Sequence, residues 1–112
     1  MDGRDFRDYQ EAFPGDQAFD YIDSDGRVYD QMGRLPEAAF QNWPVRLESF
    51  TDQIRQHIDK VKQVAPQNRG AAIVDLDGMS PSQLADVWDY IDSTIPAEDL
   101  EFLIVIGDPA RH

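Results

Sequence analysis

Asp20 and Asp30 flank a turn in the stretch Phe19-Asp20-Tyr21-Ile22-Asp23-Ser24-Asp25-Gly26-Arg27-Val28-Tyr29-Asp30-Gln31-Met32-Gly33. Adjacent antiparallel strands bring two such side chains within a few ångströms of each other if the register allows. Carboxylates that close repel unless a cation lies between them or one holds a proton. The pair is therefore a candidate site for Mg2+, Mn2+ or Zn2+, with hard oxygen ligands. Glu11 supplies a third oxygen if the segment before the turn packs over the hairpin. A metal held this way activates bound water and stabilises charge on a phosphodiester. His57 or Lys60 would then polarise the scissile phosphate or move a proton. Each residue also has a plainer explanation. Among 22 acidic residues two Asp on neighbouring strands arise easily by chance. His57 reads equally as a boundary residue and Lys60 as a solvated charge.

Other chemistry is thinner. The chain has no Cys, which excludes a disulfide framework and a thiolate zinc site. Imidazole comes only from His57 and His112. Asp75 and Asp77 are ligand-like, but a turn and a cap account for them, as a turn accounts for Asp23 and Asp25. Tyr21 and Tyr29 could stack on bases, although aromatic residues on a hairpin more often belong to a core. There is no Ser-His-Asp ordering, no phosphate-cradling Gly-rich loop and no basic stripe.

The elements that must position these groups follow from periodicity. Phe6, Tyr9 and Phe13 fall on one face of a helix over 2–13, which Pro14-Gly15 stops. The hairpin comes next, with Asp25-Gly26 predicting a type I′ turn. Residues 33–45, with Gly33, Pro36 and Pro44, read as loop, plugged onto the core by Phe40 and Trp43. Residues 46–65 make the clearest helix, with Leu47, Phe50, Ile54, Ile58, Val61 and Ala65 in one apolar stripe. Gln53, His57 and Lys60 lie on a shoulder of that stripe. Ala71 to Leu76 is a continuous apolar run, as in a strand covered on both faces. Ser80-Pro81-Ser82-Gln83 predicts a capping box that opens a helix with Leu84, Val87, Trp88 and Ile91 buried. Leu100 to Ile106 is a second buried strand. The predicted fold is a single α/β domain over 1–112. Its mixed four-stranded sheet joins the hairpin to a parallel β-α-β pair, with helices on both faces and an N-terminal helical segment over 1–15.

The formal charge of −12 opposes non-specific attraction to phosphate backbones. Acidity alone suits solubility. It also suits a basic protein partner, or a substrate approached through bound cations. No apolar run approaches the ~20 residues needed to span a bilayer, and the N-terminus has no signal-peptide character.

Taken together, the residues Phe19-Asp20-Tyr21, Gly26 through Gly33, Phe50 through Ile54, His57 and Lys60 resemble the C-terminal toxin domains of bacterial polymorphic toxins. These are domains of the contact-dependent inhibition and Rhs types. Ile73-Val74-Asp75-Leu76, Gly78-Met79-Ser80-Pro81, Gln83, Tyr90-Ile91-Asp92-Ser93 and Ile104-Val105-Ile106-Gly107 continue the likeness, which runs from about Phe19 to Gly107. The resemblance implies a restriction-endonuclease-like core of the PD-(D/E)xK type over 16–108 and a metal-dependent nuclease acting on tRNA or DNA. It places Asp20 as the first motif Asp and Asp30 as the second carboxylate. His57 or Lys60 would replace the motif Lys, because Met32 holds that position. It implies delivery by a larger secreted or cell-surface toxin, action in a target-cell cytoplasm, and a cognate immunity protein covering the Asp20/Asp30 cleft or a nearby exosite. The alternative is a non-enzymatic acidic binding protein of the immunity or antitoxin kind, or an inactive member of the toxin fold.

Overall fold

The computed structural model describes residues 6–32 and 42–108. The elements in chain order are β1 (Arg7–Asp8), α1 (Tyr9–Ala12), β2 (Tyr21–Ile22), β3 (Val28–Met32), α2 (Trp43–Lys62), β4 (Arg69–Asp75), α3 (Pro81–Thr94) and β5 (Leu103–Ile106). Short 3-10 turns over Pro66–Asn68 and Ala97–Phe102 precede β4 and β5. The strands form one five-stranded sheet in the order β1-β2-β3-β4-β5. The β1-β2 and β2-β3 pairs are antiparallel, and β3-β4 and β4-β5 are parallel. The sheet is thus mixed, as expected, with five strands where four were expected.

The additional strand lies where the periodicity predicts a helix. Arg7–Asp8 is extended and pairs with β2, and only the single turn Tyr9–Ala12 is helical. Phe6 and Tyr9 consequently part company. Phe6 stacks edge-on against Tyr29, with 4.6 Å between ring centroids, while Tyr9 packs with Phe19, Val28 and Val61 in a separate cluster. Phe13 is left largely exposed.

Among the described residues the helices occupy one face of the sheet, not the two expected. Phe50, Ile54 and Ile58 of α2 and Val87 and Ile91 of α3 share one core with Ala72 and Val74 of β4. Handedness explains this. The crossovers β3-α2-β4 and β4-α3-β5 advance in the same direction along the sheet. Two right-handed crossovers in one direction must place both helices on the same side. The other face holds a small cluster of Tyr29, Ala71 and Ile73, bordered by Phe6, Tyr21, Ile104 and Ile106.

Local sequence sets the element ends. Helix α2 begins at Trp43, earlier than predicted, because Pro44 is tolerated in a first turn where its missing N–H costs nothing. Phe40 lies outside the described residues; Trp43 donates to Asp86 of α3 at 2.9 Å and packs on the core. The capping box forms as predicted, Ser80 accepting from the Gln83 amide while the Gln83 side chain accepts from that of Ser80. The hairpin turn differs from type I′. No non-Gly residue among those described has positive φ, and only Gly26 (φ 81°) lies in the left-handed region within the turn. The Gly26 amide bonds Asp23 O and the Asp23 amide bonds Arg27 O, giving the three-residue loop that ends in a left-handed glycine. Asp23 dictates the choice: its Oδ1 accepts from the amides of Asp25 and Arg27 at 3.0 and 2.9 Å.

Candidate functional site

The β2-β3 register pairs Tyr21 with Tyr29 and Ile22 with Val28. Continued one step, it sets Asp20 across from Asp30. Residues directly opposite on an antiparallel pair share a face. The Asp20 amide bonds Tyr29 O at 3.0 Å, one residue off that register, so the ladder turns irregular at Asp20. The face is that of α2, since Asp30 pairs with Ala72 of the helix-side core.

Helix α2 completes the group. Gln53, His57 and Lys60 fall on one shoulder because residues three and four apart are neighbours on a helix. Ile54, Ile58 and Val61, each one position further on, are buried and fix the rotation of that shoulder. Lys60 Nζ lies 3.2 Å from Asp30 Oδ2, and His57 Nε2 lies 3.5 Å from the same oxygen. The Lys60 ammonium also sits 4.9 Å from the centre of the Phe19 ring, a cation-π position that steadies it. His57 Nδ1 is 2.7 Å from Gln53 O. A carbonyl can only accept, so Nδ1 carries a proton. Nε2 is then either the basic nitrogen of a neutral ring or the second N–H of a charged one.

The two carboxylates are unlike. Asp20 is exposed, and its Oδ2 accepts from the Gln31 amide at 2.7 Å. Asp30 is only 7% exposed. Burial pushes its carboxyl above the ordinary Asp range, Lys60 and His57 pull it back, and the neighbouring Asp20 carboxyl adds to the rise. The cluster thus gathers an exposed carboxyl, a buried one, an imidazole and an ammonium. A cavity of about 350 Å³ opens beside Asp20, between Gln10, Phe19 and Tyr21.

Of the predicted site residues, Asp20, Asp30, His57 and Lys60 come together. Glu11 is exposed on α1, and among the described residues no group of three carboxylates or imidazoles is placed to hold an ion. His112 lies outside the described residues. Two carboxylates suit an ion that keeps water and substrate oxygens in its remaining positions, as Mg2+ does. They fall short of the three protein ligands usual at a catalytic zinc.

Other polar groups serve structure. Asp75 Oδ1 accepts from the Asp77 amide in a turn, as expected. Asp23 Oδ2 accepts from the Tyr29 hydroxyl at 2.8 Å, and Tyr29 is fully buried, which ends its candidacy for base stacking. Buried Asp108 accepts from Trp88 Nε1 at 2.7 Å. Asp99 accepts from Lys62 at 2.7 Å. The Trp88–Asp108 and Lys62–Asp99 partners are far apart in sequence.

No family model matches the chain. A search of curated proteins and one of solved structures likewise found no match. Among the described residues no helix is long and apolar enough to cross a membrane.

Proposed function

We propose that the chain is a metal-dependent phosphodiesterase, a nuclease domain of the polymorphic-toxin kind, acting on tRNA or DNA at Asp20, Asp30, His57 and Lys60. The observation that carries this is the meeting of two carboxyls from neighbouring strands with an imidazole and an ammonium from α2. A plain structural ion pair would need one carboxylate and one cation. Here a second carboxylate is set against the first, where it raises the cost of ionising Asp30.

A bound Mg2+ or Mn2+ would supply charge stabilisation at the phosphate and a more acidic water. Asp20 and Asp30 would hold it. Lys60, with 42% of its side chain exposed, can reach a substrate oxygen beside Asp30. His57 Nε2 is available to take or give a proton, its ring fixed by the bond from Nδ1 to Gln53 O. Resemblance in sequence supports delivery by a larger toxin and neutralisation by an immunity protein over this pocket.

The charge of −12 favours a second reading, that of an acidic binder for a basic protein, in which opposite charge speeds and directs association. Incubation of the folded protein with tRNA and with plasmid DNA, with Mg2+, with Mn2+ and with chelator, separates the two. Cleavage that needs the metal is expected. Intact tRNA and plasmid under every condition would favour the binder.

A further inference from the structure

We propose that the end of the sheet where β3, β4 and β5 begin carries a nucleotide site, in which Arg27 and Arg69 take the phosphate. A cavity of about 490 Å³ opens where β3, β4 and β5 begin. That volume lies within the usual range for small-ligand sites. It shares no residue with the cluster of Asp20, Asp30, His57 and Lys60.

The two arginines are held in an uncommon way. Arg27 donates from one terminal nitrogen to Arg69 O at 3.0 Å. Arg69 donates from Nε to Val64 O at 3.1 Å. Among the described residues neither guanidinium has a carboxylate within ion-pair distance. A main-chain carbonyl fixes the plane of a guanidinium without cancelling its charge. Arg69 therefore keeps both terminal amino groups for an oxyanion, and Arg27 keeps its second terminal group and Nε. Such a fork suits a phosphate bidentately. In a chain with 22 acidic and 10 basic residues, two guanidiniums in one cavity, neither of them in an ion pair among the described residues, stand out even beside the Asp23, Asp25 and Glu101 carboxylates of the same lining.

The remaining walls decide what the phosphate belongs to. Asp23 also lines the cavity, but its oxygens accept from two amides and the Tyr29 hydroxyl. Asp25 and Glu101 are exposed on the same lining. They would repel a bare anion and accept from ribose hydroxyls or the donor edge of a base. Pro66 and Phe102 offer apolar surface for a base. A ligand with an anionic group at one end and hydroxyl and amino donors at the other satisfies all of these walls, and a nucleoside monophosphate has that form.

Titration of the 15N-labelled full chain with AMP, with adenosine and with inorganic phosphate tests this directly. Saturable shifts at the amides of Gly26, Arg27, Arg69 and Gly70 are expected with AMP, with affinity at least tenfold weaker for phosphate or adenosine alone. Arg69→Gln and Arg27→Gln should each weaken AMP at least fivefold, while Glu101→Gln should weaken AMP but not phosphate. No saturable shift at these amides with AMP would overturn the proposal, as would shifts confined to Asp20, Gln31 and their neighbours. Phosphate binding as tightly as AMP would also overturn it. Mapping on the wild type keeps the test decisive if a variant fails to fold. The proposal does not depend on nuclease activity, so an inert enzyme that still binds AMP here leaves it standing.

Discussion

At the residue scale, Asp30 is stabilised poorly for the place it occupies. It is buried, and a second carboxyl lies against it, so the folded chain holds its proton more tightly than the unfolded chain does. The stability linked to this group is full below the ordinary Asp range and is lost as pH rises through the folded-state pKa. A melting series over pH on wild type and Asp30→Asn should therefore show the wild type losing ground in that window while the variant does not. At neutral pH Asn should melt no lower, and relief of about 1 kcal/mol would raise the midpoint by about 4 °C. Cleavage should be lost in the same variant, because Asp30 is one of the two carboxylates that would hold the metal. His57→Gln should cost rate with little change in melting, because the His57 ring is part-exposed and its neighbours Ile54 and Ile58 carry the packing. The pairing of Asp20 with Asp30 was legible as a possibility from the hairpin, and the shoulder of Gln53, His57 and Lys60 from helical periodicity. Register was not. A slip of one residue would have turned one carboxylate to the far face, and only the Asp23-centred turn, a matter of hydrogen bonds, fixed it.

At the element scale, the parallel half of the molecule was readable because its signals are local. The capping box over Ser80 to Gln83 and the apolar run of β4 each state their structure within a few residues. Ser80→Ala should cost about 1 kcal/mol in chemical denaturation, the usual worth of an N-cap. The N-terminal segment was misread because Phe6, Tyr9 and Phe13 keep helical spacing while tertiary pairing draws Arg7–Asp8 into the sheet. Gly70 marks a constraint that sequence could not reveal. A Cβ there would lie 2.3 Å from Val28 O and 2.7 Å from the Tyr29 ring. Gly70→Ala should push β3 from β4 and destabilise by at least the roughly 1–3 kcal/mol of an overpacked core. A wild-type melting point for this variant would mean that the β3-β4 contact is looser than described. Placement of both helices on one side was within reach of handedness rules, once the strand order was known to advance in one direction. That order is a long-range property, which local patterns do not encode.

At the scale of the whole molecule, charge dominates. An excess of acidic over basic residues that reaches −12 destabilises a compact state by self-repulsion. Raising NaCl from about 0.01 to 0.2 M shortens the screening length from roughly 30 Å to under 10 Å and should raise the melting point. A fall would mean that favourable ion pairs such as Lys62–Asp99 outweigh the repulsion. The same charge explains why a nucleic-acid substrate would need cations at Asp20 and Asp30 and positive points such as Lys60 to approach at all.

The most direct test of a hydrolytic centre at Asp20 and Asp30 is a paired measurement on wild type and Asp30→Asn: tRNA and plasmid cleavage with Mn2+ or Mg2+, beside thermal melting of the same samples. Metal-dependent cleavage by the wild type that vanishes in a variant melting at or above the wild-type temperature is the expected result. Cleavage by Asp30→Asn at the wild-type rate, or a folded wild type inert with both metals, would contradict it.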